Sequence, residues 1–370
     1  MRVALVHDWL TGMRGGEKAL EVLCEIFPHA TVYTLLHRRG SVSSTIERHP
    51  IRTSFVQWLP MADTAYRRYL PLFPMAIEQF DLDDYDLIVS SSHCVAKAAV
   101  PPGHARHLSY CYSPMRYAWD QFDEYFGEDR VGRLRSRWVY RPLLARLARW
   151  DAATSPRVHR FIADSGHVAG RIRRYYNRAA TIVYPPVDTT FFHPAQVTPD
   201  DHFLIVSALV PYKRIDRAIR ACRRAGARLR VVGDGPERAR LEREAGPEVQ
   251  FLGSLSNEEI RDEYRRAQAV VLPGEEDFGI APLEAQACGR PVVALGRGGA
   301  LETIIDGETG VLFPDPTDDS LIAALDRAVT TRFDSDRIRR HAERFSRARH
   351  VGAMRDVIDE TLARPVGTRW

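Results

Sequence analysis

A chain of 370 residues exceeds the roughly 250 to 300 at which one apolar core stops growing, which excludes a single compact domain and points to two. With 45% hydrophobic, 27% charged and 9% aromatic residues it is neither disordered nor fibrous. A net charge of +4 is too small to name a partner; with no run near 18 apolar residues, and charge met early in Met1-Arg-Val-Ala-Leu-Val-His-Asp8, neither a membrane span nor secretion is expected.

The first apolar run, Arg2-Val-Ala-Leu-Val6, reads as a strand. A loop from His7 to Gly16 follows, and then Leu20, Leu23, Cys24 and Phe27 recur at helical spacing. Asp86-Leu-Ile-Val-Ser90, Phe161-Ile-Ala163 and Thr181-Ile-Val-Tyr184 are further short apolar runs bounded by polar turns. Such runs alternating with helical patterns predict a parallel, doubly wound sheet. Prolines and short polar residues from Tyr184-Pro-Pro-Val-Asp188, through Phe191-Phe-His-Pro194, to Asp201 mark a hinge. Beyond it, Phe203-Leu-Ile-Val-Ser207 opens a second series, in which Ile215, Ala218, Ile219 and Cys222 share a helix face. Leu229-Arg-Val-Val232, Gln250-Phe-Leu252, Ala269-Val-Val-Leu272 and Pro291-Val-Val-Ala294 follow as strands separated by helices. The expected class is α/β with two Rossmann-like doubly wound domains, 1–190 and 191–344, the first completed by a C-terminal helix within 345–370. Ligands bind at the carboxyl ends of parallel strands where strand order reverses, so a cleft between two such domains is the expected active site.

The cysteines, Cys24, Cys94, Cys111, Cys222 and Cys288, form no Cys-x-x-Cys pair, which indicates neither a disulfide framework nor a zinc site and fits a reducing cytoplasm. Of 52 basic residues, 49 are arginine, so a single arginine carries little weight. The lysines, Lys18, Lys97 and Lys213, each raise the question of a task for a compact ammonium.

The most informative segment is Pro273-Gly-Glu-Glu-Asp-Phe-Gly-Ile-Ala-Pro-Leu-Glu-Ala-Gln-Ala-Cys-Gly289, directly after the strand ending at Leu272. Pro282 suits the first turn of a helix and Gly289 its end. N–H groups near Phe278, Gly279, Ile280 and Ala281 therefore open at a strand end, where an anion can use them. Glu276 precedes that terminus and Glu284 lies within its first turns; carboxylates so placed suit the hydroxyls of a ligand whose phosphates lie between them. The plain alternative is acids decorating a helix N-terminus. Gly15 and Gly16, between strand and helix, let a phosphate or sugar approach the backbone. Neither Gly12-Met-Arg-Gly-Gly16 nor Gly233-Asp-Gly-Pro-Glu-Arg238 completes a dinucleotide fingerprint, which weakens an NAD-dependent oxidoreductase and leaves tight-turn chemistry as the alternative for both loops. Lys213 and His93 each follow a strand, at the rim of the expected cleft, with a solvated lysine and a buried, hydrogen-bonded histidine as the alternatives. His7 and Asp8 end the first strand, on the first domain's side of the expected cleft.

The Glu-x7-Glu segment, within a tandem of doubly wound domains, resembles the retaining glycosyltransferases of the GT-B group, family 4. The joint order of further motifs extends the resemblance over nearly the whole chain: Gly15-Gly16-Glu17, Ser90-Ser-Ser-His93, Pro-Pro-Val-Asp188, Leu209-Val-Pro-Tyr-Lys213, Gly233-Asp-Gly-Pro236, Gly298-Gly-Ala-Leu-Glu-Thr-Ile-Ile305's run and Gly307-Glu-Thr-Gly310. The resemblance implies that Glu276 binds sugar hydroxyls and Glu284 the ribose of a nucleotide-diphosphate sugar, that Lys213 contacts the diphosphate, and that His93 contacts the transferred sugar. The family usually carries an arginine five residues before that lysine. Ala208 stands there instead, and Arg214 or an arginine from elsewhere would have to compensate. The implied donor set is Gly15, Gly16, Lys213, Arg214, Gly233, Glu276, Phe278, Gly279, Ile280, Ala281 and Glu284, with His93, Lys213 and Glu276 as the catalytic residues. The implied reaction is hexose transfer with retention, without metal or cofactor, the leaving phosphate helping to deprotonate the acceptor hydroxyl. Ser207-Ala-Leu-Val-Pro-Tyr-Lys-Arg214 and Cys111-Tyr-Ser-Pro-Met-Arg-Tyr-Ala-Trp-Asp120 are most similar to bacterial polysaccharide mannosyltransferases, which implies GDP-mannose as donor and a saccharide or lipid-linked saccharide as acceptor in surface polysaccharide biosynthesis. A non-catalytic nucleotide-sugar binder of the same fold is the alternative that Ala208 supports.

From Arg130 to Arg149 seven arginines and no acid interleave with Leu134, Trp138, Tyr140, Leu143, Leu144 and Leu147, and Pro142 is expected to interrupt any single helix. The segment reads as a basic surface for anionic lipid at the inner face of the cytoplasmic membrane. It reads equally as a face packed on the core with solvated arginines. No nucleic-acid-binding module accompanies the charge, and no nucleic-acid partner is expected.

Overall fold

The computed structural model describes residues 1–370, which divide into two compact units, Met1–Pro185 with His350–Trp370, and Pro186–Arg349. The first holds β1 (Val3–His7), β2 (Thr31–Thr34), β3 (Ile51–Thr53), β4 (Leu87–Ser92), β5 (Arg106–Cys111), β6 (Arg160–Ala163) and β7 (Ala180–Ile182). They form one parallel sheet in the order β3-β2-β1-β4-β5-β6-β7. The second holds β8 (His202–Val206), β9 (Arg228–Val232), β10 (Val249–Gly253), β11 (Ala269–Leu272), β12 (Val292–Leu295) and β13 (Gly310–Phe313). These run parallel in the order β10-β9-β8-β11-β12-β13. Strand order reverses between β1 and β4 in one sheet and between β8 and β11 in the other, so each unit has its own switch point.

β1 is apolar up to Val6 and β4 from Leu87 to Val89, ahead of its buried serines Ser90–Ser92, because both faces of the sheet are covered. On one face Val3 and Leu5 pack with Leu20 and Leu23 of the helix Gly15–Ile26 and with Met354, Val357 and Ile358 of the helix Arg347–Ala363. On the other, Ala4 and Val6 share a cluster with Phe73, Ile77, Leu144 and Leu147. In the second unit Phe203 and Ile205 meet Ile215, Ala218, Ile219 and Cys222 of the helix Ile215–Ala225, and Leu204 and Val270 lie in the opposite cluster with Tyr264 and Ala285.

Pro142 does not interrupt its helix. The chain stays helical from Arg133 to Ala153 by way of a π turn, Ser136–Tyr140, closed by the Arg141 N–H to Ser136 O bond. A proline removes one amide and crowds the carbonyl four residues back, and the wider π turn just ahead of it relieves that crowding. The apolar residues of this segment split between two faces. Leu144 and Leu147 are buried, whereas Leu134, Trp138 and Val139 are 75%, 69% and 54% exposed among the arginines.

The five cysteines are free and buried. Lys97 is only 1% exposed, and its ammonium lies 3.0 Å from Asp151 Oδ1, 2.6 Å from the Asp151 carbonyl and 3.1 Å from Thr154 Oγ1. Its task is therefore structural. No helix is long and apolar enough to cross a membrane.

Candidate functional site

At the switch point of the second unit, the loops that follow β8 and β11 meet. The first closes in a 3-10 turn, Pro211–Lys213, and Arg214 (φ 52°) leads into the helix Ile215–Ala225. The second runs from Pro273 to Gly279 and enters the helix Ile280–Ala287. A methyl group at Gly274 would stand 2.4 Å from the Tyr212 carbonyl oxygen, so this close approach requires glycine. The result is an ion pair between Lys213 Nζ and Glu276 Oε1, with the two side chains 18% and 6% exposed. The loop carrying Glu276 is fixed from behind. Arg217 donates to the Pro273 carbonyl at 2.6 Å, and the Gly299 N–H donates to the Glu276 carbonyl at 2.8 Å.

Gly279, Ile280 and Ala281 are partly exposed at the start of the following helix, while the Phe278 ring turns inward onto Phe345 at a centroid separation of 5.8 Å. Glu284, in the same helix, is buried, and its Oε2 accepts the Tyr264 hydroxyl at 3.1 Å. Burial, and then the neighbouring Glu284 charge, push the Tyr264 hydroxyl well above its ordinary range and keep it a donor. Arg214 turns to Asp216, bonding it through Nε and Nη2 at 3.2 Å each. Burial alone would raise the Asp216 carboxyl, but Arg214 and Arg220 hold it below the usual carboxylate range. Gly233 (φ +123°) stands where a Cβ would fall 1.9 Å from the Ser207 carbonyl oxygen, so its lack of a side chain is used to bring the end of β9 against the end of β8.

A second group gathers at the switch point of the first unit, where β1 ends at His7 and β4 at Ser92. Gly15 and Gly16 form the first turn of the helix Gly15–Ile26, and Glu17 accepts the Arg14 N–H at 3.0 Å. Tyr112 donates its hydroxyl proton to the Gly16 carbonyl at 2.8 Å, Ser91 Oγ lies 2.7 Å from Tyr112 Oη, and His7 Nδ1 lies 3.1 Å from Ser91 Oγ. With the tyrosine proton spent on Gly16, the serine donates to the tyrosine and His7 donates from Nδ1. His7 Nε2 stands 3.8 Å from Glu17 Oε1. Burial alone would raise the Glu17 carboxyl, but the His7 side chain holds it below its ordinary range. His93 places Nδ1 3.1 Å from Asp8 Oδ2, with the Trp9 ring edge-on at 4.5 Å between centroids.

The structure thus joins Lys213 directly to Glu276 and sets Phe278–Ala281 and Glu284 on the segment that follows. It groups His93 with Gly15 and Gly16 around the other switch point and commits Arg214 to Asp216. Asp8, Glu17, Tyr112 and Tyr264 complete these groups. Their side chains converge through the fold rather than through any sequence spacing, so among them only Asp8, which ends a predicted strand, and Glu17, beside the glycine pair, had a local signal.

Residues 187–345, which fall within the second unit, match the family described as Glycosyl transferases group 1. Among curated relatives, a D-inositol 3-phosphate glycosyltransferase from Saccharomonospora viridis is 31% identical over 246 residues, covering 56% of this chain and 57% of the relative. The enzyme of the same name from Mycolicibacterium smegmatis is 33% identical over 202 residues, covering 47% of this chain and 45% of the relative. The chain spans about half the length of the curated relatives it matches. Among solved structures, Anabaena HepE in complex with UDP-glucose superposes with a TM-score of 0.72 at 17% identity over 97% of this chain and 100% of its own. The apo lipopolysaccharide outer core galactosyltransferase WaaB gives 0.67 at 15% identity over 97% and 99%. Likeness at such identities shows the fold: α/β, with two Rossmann-like parallel-sheet units of the GT-B kind.

Proposed function

We propose that this chain is a retaining, metal-independent glycosyltransferase that moves a hexose from a nucleoside-diphosphate sugar to a hydroxyl of a saccharide or lipid-linked saccharide. The observation that carries this reading is the Lys213–Glu276 pair, at the switch point of the unit that matches a glycosyltransferase family. An ammonium suits a diphosphate, a carboxylate suits sugar hydroxyls, and the helix beginning at Ile280, on the segment that follows Glu276, offers free backbone N–H groups. Glu284, paired with Tyr264, is assigned to the ribose.

In the proposed reaction the acceptor oxygen bonds to the anomeric carbon on the face from which the diphosphate departs. The bond between that carbon and the phosphate oxygen breaks, and the acceptor proton passes to the leaving phosphate. Lys213 and the helix N–H groups stabilise the charge that develops on the diphosphate by preorganised electrostatics. The proposed donor is GDP-mannose, used in surface polysaccharide assembly on the cytoplasmic side. UDP-glucose, the ligand of the Anabaena neighbour, is the comparison arm. The exposed Leu134, Trp138 and Val139, standing among arginines, support contact between the first unit and an anionic membrane.

The test is transfer of radiolabelled mannose or glucose from these donors to a panel of saccharide and lipid-linked acceptors, with product anomers read by NMR. An α-linked product from an α-linked donor, formed equally with EDTA, supports the reading. Inversion, or abolition by EDTA with rescue by magnesium or manganese, overturns the retaining or metal-independent part. Donor binding without transfer to any acceptor identifies a non-catalytic binder.

A further inference from the structure

Asp8 directly follows β1, and its carboxylate is fully buried. Oδ2 accepts the backbone N–H of His93 at 2.7 Å and of Cys94 at 2.9 Å. Oδ1 accepts those of Val95 at 2.7 Å and Ala96 at 2.8 Å. Four consecutive amides thus converge on one carboxylate, which gives the anion the hydrogen bonds that burial would otherwise deny it. The same Oδ2 lies 3.1 Å from His93 Nδ1.

An ionised carboxylate only accepts hydrogen bonds, so an unprotonated Nδ1 at that distance would set lone pair against lone pair. Nδ1 must carry a proton, and in the neutral ring Nε2 then carries a lone pair. The His93 side chain is 37% exposed although its Nδ1 edge is taken by Asp8. Its charged and titratable surroundings are Asp8, His7, Glu17 and Arg116, with Tyr112 and Trp9 as ring neighbours. Loss of solvent around its inner edge outweighs the Asp8 charge and lowers the histidine from its ordinary value, which favours the neutral ring.

We propose that Asp8 is a positioning residue that fixes the Nδ1–H tautomer of His93, so that His93 meets a sugar hydroxyl as a neutral acceptor through Nε2. This rests on the glycosyltransferase reading for the identity of the ligand, but the tautomer itself does not. A carboxylate partner on the far nitrogen is a general way to set which face of an imidazole is basic.

The tautomer is read on the wild-type chain by two-bond proton–nitrogen correlation NMR of ¹⁵N-histidine-labelled protein, with His93 assigned by its loss in His93→Gln. The expected signature at mildly alkaline pH is a pyrrole-like Nδ1 and a pyridine-like Nε2. The reverse pattern overturns the proposal whether or not any sugar is transferred. In turnover, Asp8→Asn is expected to lower kcat about 10- to 100-fold while leaving nucleotide affinity in the second unit unchanged. In a His93→Gln background the same substitution should cost less than about threefold, because Asp8 then has no imidazole to orient. Equal losses in both backgrounds would show a purely structural role and overturn the proposal. Should Asp8→Asn not fold, the wild-type NMR pattern decides alone.

Discussion

The Lys213–Glu276 pair makes a prediction whose sign separates its two members. With the ammonium engaged by Glu276, a diphosphate must compete for it. Lys213→Ala removes a charge-assisted hydrogen bond to the diphosphate, worth about 1.5 to 3 kcal/mol, or roughly 10- to 100-fold in Kd. It also leaves a nearly buried carboxylate without its counter-ion beside the phosphates, which pushes the loss toward the upper end. Glu276→Gln acts in the opposite direction: it releases the ammonium and removes a repelling charge, so GDP and UDP should bind as well as to the wild type or better. Transfer should nevertheless fall about 10²- to 10³-fold because the hexose loses its partner. Calorimetry with the free nucleotides, followed by turnover with the donors, measures both. If Glu276→Gln weakens free nucleotide as much as Lys213→Ala does, the division of labour is wrong.

Stability offers a pH test in the first unit. His107 donates from Nδ1 to the Arg157 carbonyl and is held neutral, burial lowering it from the ordinary 6.5 to about 3. The unfolded chain therefore takes up a proton that the fold refuses, so stability falls as pH drops below the ordinary value, by about 1.4 kcal/mol per pH unit until the folded value is reached. Urea unfolding at pH 7.5 and 5.5 should show this loss, and His107→Asn should remove about that much of it. Lys97→Met strands Asp151, which is fully buried, and should cost about 3 to 5 kcal/mol, partly restored by adding Asp151→Asn. A loss under about 1 kcal/mol in denaturant melts would contradict the buried-pair account. Vesicle flotation should show the chain on anionic but not neutral lipid, weakened by salt and by Leu134→Ser with Trp138→Ser, donor binding being unaffected. Equal flotation on neutral vesicles would remove the electrostatic part.

The sequence made β1, β4, β8 and β11 legible because each is buried on both sides and keeps a run of Val, Leu, Ile or Ala. Those strands flank the two switch points, so the places where Lys213, Glu276 and His93 arise could be read from pattern alone. β5 was not legible: half of Arg106-His-Leu-Ser-Tyr-Cys111 is polar, and His107 is satisfied only by partners from Ser90 and Arg157, distant in the chain. β2, Thr-Val-Tyr-Thr, and β3, Ile-Arg-Thr, hold no more than two consecutive apolar residues between polar ones, too few to stand out as a run. Pro142 misled because a π turn absorbs it, and that depends on where Ser136 and Leu144 are buried. The partnership of Asp8 with His93 has no signature in the sequence, since two neighbouring strand ends bring together residues far apart in the chain.

In the proposed site one donor diphosphate lies on Lys213 with its hexose on Glu276. A crystal structure of the full chain with GDP-mannose or UDP-glucose tests it most directly. Phosphate oxygens are expected within hydrogen-bond distance of Lys213 Nζ and of the N–H groups at the start of the helix Ile280–Ala287, with a sugar hydroxyl on Glu276 and a ribose hydroxyl on Glu284. A donor bound elsewhere, with the Lys213–Glu276 pair undisturbed, would contradict it.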